Sequence, residues 1–137
     1  MASYMKLTKE RAQEYLEKGL WRPFIFSDFY ERNAKQFPND EALVDGDVRL
    51  TWSELNLYAD RAALGMAELG IARDSIMIEQ THDCWEHIVM RLAGEKAGII
   101  TLPLMRVLRH EEVGHLLNLT RTNTMVIPAR FREFDYY

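Results

Sequence analysis

Three short apolar runs, Ser75–Glu79, Ile99–Leu104 and Thr124–Ile127, are separated by stretches whose apolar residues recur at helical spacing. Strands that are apolar on both faces and alternate with helices belong to parallel βαβ units, because a strand covered on both sides has no solvent face to keep polar. The chain is therefore expected to be α/β, with three parallel strands and two crossover helices. The first crossover helix carries Trp85, Ile88, Val89, Leu92 and Ala93 on its buried face, has Asp83 and Glu86 placed for a capping box, and stops at Gly98. The second runs His110–Leu119 through Val113, Leu116 and Leu117.

Upstream of these units, Ala42–Val44 and Val48–Leu50 flank Asp45-Gly46-Asp47, and Asp-Gly supplies the positive-φ positions of a tight hairpin. The hairpin leads directly into the strongest local start signal of the chain. Thr51 stands as N-cap, Glu54 follows three residues on, and Leu50 is ready to pack on Leu55, so a capping box and a hydrophobic staple coincide. Leu55, Tyr58, Ala59, Ala62, Met66 and Leu69 then mark one helical face, with Gly70 at the left-handed C-cap position. An earlier helix is expected from Phe26, with Ser27 as N-cap, Phe29, Tyr30, Ala34 and Phe37 in contact, and Pro38 as terminator. Residues 1–25 read as a polar lead-in with a short helix at Glu10–Lys18, ended by Gly19, and 26–137 as one α/β subdomain. Three parallel strands make a thin sheet, and the ten residues after Thr124–Ile127 are too few to extend it, so a partial three-layer sheet with an open edge is expected.

Composition bounds the partners. Seventeen basic against twenty-one acidic residues give a formal charge of −4 with no basic stripe, which speaks against nucleic acid. A single cysteine, Cys84, rules out an internal disulfide; with an N-terminus lacking a signal-peptide pattern, it points to a cytoplasmic setting. No stretch is apolar enough to span a bilayer.

Four constellations invite a chemical reading. His110-Glu111-Glu112-Val113-Gly114-His115 resembles a zinc HExxH, but its histidines lie five apart, about 500° round a helix, and diverge by roughly 140°. A solvated helix start is the stronger reading. His82, Asp83, Cys84 and His87 gather a nucleophile, bases and an acid within six residues, and Cys84 with His87 could meet on one turn. Against that, Asp83 is wanted as a cap and no oxyanion-hole glycines adjoin; a helix N-terminus would still lower the Cys84 thiol pKa. Asn118-Leu119-Thr120 matches a glycosylation acceptor without meaning in the cytoplasm, and Trp21, Trp52 and Trp85 read as packing residues. No glycine falls in a phosphate-cradling pattern. No residue is assigned a catalytic, cofactor-binding or metal-ligating role.

Leu50-Thr51-Trp52-Ser53-Glu54-Leu55 resembles the first core motif, LTYxEL, of AMP-forming acyl-CoA synthetases and related adenylating enzymes. Phe37–Gly46 is similar to the lead-in FPDxxALVDG, and Lys96-Ala97-Gly98 with Leu102-Pro103-Leu104 to the second motif, KAGxxxxPL. Glu17–Trp21 and Pro128–Tyr136 resemble the EKGYW and PxxFRGFDY of the branch holding 2,3-dihydroxybenzoate–AMP ligases and cyclic or medium-chain acyl-CoA ligases. The chain departs from the family at Arg73-Asp74, at Thr81-His82 and at Glu133. The resemblance covers about Tyr15 to Tyr136. It implies the opening part of the large N-terminal domain of an enzyme that uses ATP and magnesium to activate a carboxylate and passes the acyl group to CoA or a carrier pantetheine. The family's phosphate loop, ribose-binding Asp and adenylation Lys would all come later, so these residues are expected to act as scaffold, packed against the rest of the ligase chain. On this reading the chain alone is inactive and self-associates. The competing reading is a free-standing α/β interaction or binding module.

Overall fold

A computed structural model describes residues 7–132 and 134–136. The first six residues of the lead-in, and the departure at Glu133, lie outside the described residues. The elements are α1 (Lys9–Glu17), α2 (Phe26–Gln36), β1 (Glu41–Asp45), β2 (Val48–Thr51), α3 (Trp52–Glu68), β3 (Ile76–Glu79), α4 (Trp85–Ala97), β4 (Ile100–Pro103), α5 (His110–Thr120), β5 (Met125–Val126), β6 (Arg130–Phe131) and β7 (Phe134–Asp135). The expected α/β class is what forms. Strands β3, β4 and β5 make a parallel sheet in the order β4-β3-β5, with Ile76 to Glu79 registered against Ile100 to Pro103 and Ile78-Glu79 against Met125-Val126. The steps from β3 to β4 and from β4 to β5 run in opposite directions, so right-handed crossovers put α4 and α5 on opposite faces.

The core sits on the α4 side. At one end Leu50, Leu55, Ala59, Val89 and Leu92 join the hairpin β1–β2 to α3 and α4; at the other, Met66, Met77, Ala93 and Ile99 join the helices to the sheet. Leu50 and Leu55 are both buried there, and the capping box is complete: Thr51 N donates to Glu54 Oε2 at 2.9 Å and Glu54 N to Thr51 Oγ1 at 3.3 Å. At the other end of α3, Gly70 N donates to Ala67 O and Ile71 N to Met66 O, a Schellman closure around Gly70 at φ +77°. Gly98, at φ +73°, ends α4 as expected.

Several local expectations are corrected. Helix α1 begins one residue earlier, capped by Thr8, whose Oγ1 accepts from Arg11 N. Ser27 is not the cap of α2. It is buried inside the first turn, where its N–H donates to Glu95 Oε2 of α4 at 3.0 Å, while Asp28 Oδ2 accepts from the N–H of Ile25, the cap residue just before the helix. Phe29 and Phe37 stay exposed, because the buried side of α2 is set by Ser27, Tyr30 and Ala34. Asp45 pairs with Val48, so the hairpin loop is Gly46-Asp47 and only Gly46 takes positive φ. Tyr58 of α3 and Leu69, the residue that follows the helix, are exposed, Leu69 at 81%. Helix α4 starts at Trp85 after Cys84, and Trp85 N donates to Asp45 Oδ2 of the hairpin at 3.0 Å; Asp83 is not its cap. Helix α5 extends to Thr120 and buries none of its residues fully. Past β5 the chain makes a second antiparallel ribbon, β6–β7, beyond the elements the sequence predicts.

Candidate functional site

In open α/β sheets the strand C-terminal ends are where ligands collect. Here the ends of β3 and β4 carry Glu79 and Pro103, paired in register. Glu79 is 1% exposed although it ends a strand, and the reason is visible on the same face of the sheet. Its Oε1 accepts from the His87 ring at Nδ1, 2.9 Å away, and from Thr81 Oγ1 at 3.3 Å; Thr81 Oγ1 also lies 3.1 Å from that nitrogen. The other oxygen, Oε2, is buried and has no partner among the described residues. The same holds for Thr101 Oγ1 and His82 Nδ1.

Two clefts meet at Glu79, His87 and Pro103. One, of about 550 Å³, is walled by Thr81, His82 and the 103–107 turn, which Gln80 pins by donating from Nε2 to Met105 O and Leu108 O. On its rim the His82 ring lies 4.3 Å from that of Phe131, and the Arg106 and Arg132 guanidinium groups sit over Phe131 at 5.2 and 5.3 Å. The other cleft, of about 320 Å³, runs between α4 and the edge strand β4, lined by Glu79, His87, Arg91, Glu95, Ile99, Thr101 and Pro103.

His82, Asp83, Cys84 and His87 are neighbours, but His87 spends Nδ1 on Glu79 and Thr81 rather than on the thiol. Burial pushes the Cys84 thiol pKa up, with Glu86 beside it adding to the rise, the reverse of the lowering expected at a helix start. His110 and His115 stand exposed on α5, and among the described residues no group of three or more His, Cys, Asp or Glu is placed to hold a metal. Asn118 and Thr120 are helical, Thr120 Oγ1 donating back to Leu116 O. Each tryptophan does pack: Trp21 on Tyr15, Trp52 on Tyr30 and Trp85 on Tyr58, at 5.3 to 5.5 Å. Glu79 and Thr101 carry no functional expectation from the sequence. The available signal was a carboxylate at the end of an otherwise apolar run, with a histidine eight residues on.

The motif residues are spent on holding elements together. Lys96, mostly buried, donates from Nζ to Glu31 Oε1 at 2.6 Å and Asn56 Oδ1 at 3.1 Å, and pairs with Asp60 Oδ1 at 2.8 Å, tying α4 to α2 and α3. Burial alone would lower its pKa, but the bonds to Asp60 and Glu31 more than offset this and hold it raised. Glu54 is held below the usual carboxylate range by the Thr51 N–H and hydroxyl.

Comparison with known proteins agrees with this geometry. The AMP-binding enzyme family matches residues 30–135. A 2-hydroxy-7-methoxy-5-methyl-1-naphthoate–CoA ligase of Streptomyces carzinostaticus is 31% identical over 98% of this chain and 24% of its own length. A salicylyl-CoA synthase / salicylate adenylyltransferase of a Streptomyces species is 30% identical over 93% and 23%. The apo structure of Mycobacterium smegmatis MbtA superposes with a TM-score of 0.78 at 29% identity, over 90% of this chain and 24% of that one. The chain thus spans about a quarter of the length of the relatives it matches. With its two core motifs seated on a helix cap and on a three-way lysine bridge, the chain belongs to the AMP-binding enzyme family.

Proposed function

We propose that these residues are the opening scaffold of an ATP-dependent ligase that converts a carboxylic acid to an acyl- or aryl-adenylate and then to a thioester, and that they have no ligase activity alone. The observation that carries this is where the motif residues are used: Thr51 and Glu54 cap α3, Lys96 bridges three helices, and Gly98 turns α4 into β4. Such a frame contributes by positioning what packs on it, and positioning together with charge stabilisation is most of what adenylation demands. In the whole ligase, ATP with magnesium would supply the activated phosphate, and CoA or a carrier pantetheine the accepting thiol. The remainder of the ligase chain is the partner of this frame.

Calorimetric titration of the chain with Mg–ATP tests the reading. A dissociation constant weaker than about 100 μM is expected; tighter binding, worth roughly 5.5 kcal/mol or more, would overturn it.

A further inference from the structure

His87 spends one ring nitrogen on the fold and leaves the other free. Its Nδ1 lies 2.9 Å from Glu79 Oε1 and 3.1 Å from Thr81 Oγ1, and the carboxylate that it meets is wholly buried at the end of β3. An ionised carboxylate only accepts, so Nδ1 carries the ring proton and Nε2 bears the lone pair. Nε2 has no partner among the described residues, yet it is not one of the buried polar atoms that lack one; with the side chain 27% exposed, that nitrogen is open to solvent. The ring borders a cleft of about 550 Å³ whose apolar lining is Pro103, Leu104, Met105 and Val107. The other charged groups around it are Asp83 and Arg106 in that cleft, Arg91 and Glu95 between α4 and β4, and Asp45 on the hairpin side. None of these pairs with the ring, so Glu79 is the charged group that sets its tautomer.

Anchoring Nδ1–H on a carboxylate fixes the ring and shifts electron density to Nε2. The other oxygen of Glu79 adds to this. Oε2 is buried without a partner, so taking up a proton removes a buried and poorly met charge. We infer that His87 is an acyl-accepting histidine, modified at Nε2 by acyl donors that carry a good leaving group, with Glu79 as its positioning residue. The Nε2 lone pair forms the C–N bond, the bond from the carbonyl carbon to the leaving oxygen breaks, and that oxygen departs with the electron pair while the Nδ1 proton passes to Glu79 Oε1. Water then adds to the acyl carbon, the C–N bond breaks, Nδ1 recovers its proton from Glu79 and the carboxylic acid leaves. Nothing has to reach the buried carboxylate, because the atom that meets the donor is Nε2. The donors are active esters and acyl anhydrides as a chemical class, and the inference stands beside the ligase reading without resting on it.

The chain carries its own references for the test. His110 and His115 stand exposed on α5, and neither is bonded to a carboxylate. The full chain is treated with limiting diethyl pyrocarbonate at about pH 8, where free imidazoles are neutral, and each histidine is followed by peptide mass mapping. His87 should be ethoxycarbonylated faster than either reference, although both are more exposed. Long-range proton–nitrogen NMR spectra of the untreated chain should show His87 protonated at Nδ1 and bare at Nε2. Glu79→Gln, folded by circular dichroism, should slow His87 about tenfold and leave His110 and His115 at their wild-type rates. Should that variant not fold, the order of rates and the tautomer in the wild type decide the matter. His87→Gln should lower the release of p-nitrophenolate from p-nitrophenyl acetate, which carries the reaction from the pyrocarbonate to an active ester. His87 reacting no faster than the two references, a proton on Nε2, an unchanged His87 rate in folded Glu79→Gln, or unchanged p-nitrophenolate release in His87→Gln would overturn the assignment.

Discussion

Thr51 serves two elements at once. As the last residue of β2 it pairs with Glu41, and as the N-cap of α3 it exchanges hydrogen bonds with Glu54. Removing its hydroxyl leaves one N–H of the first helical turn without an acceptor, so Thr51→Ala is expected to cost about 1 kcal/mol in chemical denaturation. Glu54→Ala should cost less, since its carboxylate is fully exposed and water replaces it. An unshifted midpoint for Thr51→Ala would refute the cap's role. The same pair sets a pH dependence. Because folding lowers the Glu54 pKa, its contribution is complete above the ordinary carboxylate value and fades as pH falls through the lower folded one; the gap between wild type and Glu54→Gln should therefore close in acid. This box was legible in the sequence because everything it needs lies within four residues. The bond from the first N–H of α4 to Asp45 was not, since Trp85 lies 40 residues away from Asp45 and Asp83 offered a nearer candidate.

Between elements, one glycine decides how closely α4 approaches the sheet. A Cβ on Gly94 would come within 2.6 Å of Thr101 Oγ1, an atom on a β-branched side chain held in the sheet that cannot swing aside cheaply. Gly65 of α3, by contrast, has nothing within 4 Å of such a Cβ. Helix propensity favours alanine by about 1 kcal/mol at both places, so the sign of the result is set by packing alone. Gly94→Ala is expected to destabilise by about 1–3 kcal/mol through overpacking, and Gly65→Ala to stabilise by up to about 1 kcal/mol. Thermal unfolding of the two variants checks both; a stabilised Gly94→Ala would mean that α4 can lift from β4 at little cost. Element types were readable here from periodicity, and Gly98 from its place after an apolar helix. The contacts that join elements were not: Ser27 to Glu95, and Lys96 to Glu31 and Asp60, link residues whose spacing along the chain carries no period.

On the scale of the molecule, the three-stranded sheet has β3 at its centre and both β4 and β5 at edges. Parallel strands pair through slanted hydrogen bonds on both sides, so each edge strand presents a row of unpaired backbone groups that invites another strand. The apolar surface nearby adds to this. Ile100 on β4 is 55% exposed, and Met105, Val107 and Leu119, in the segment that carries the chain from β4 round to β5, are each more than 60% exposed. Covering a strand edge with a second copy aligns backbone donors with acceptors and removes apolar surface from water in the same step, and a stable pair buries about 1,600 Å² in total. Exchange of an element between copies reaches that area at low cost. The chain is therefore expected to form a dimer or larger assembly through the β4–β5 half rather than through the β1–β2 hairpin, whose inner face is already filled by α3 and α4. Light scattering coupled to size exclusion measures it, and Ile100→Lys, which places a charge on the edge strand, should shift the assembly toward monomer. A monomer of about 16.1 kDa at micromolar concentration, binding no apolar dye, would mean that these strands close a domain unaided, and would favour a free-standing binding module over a ligase scaffold.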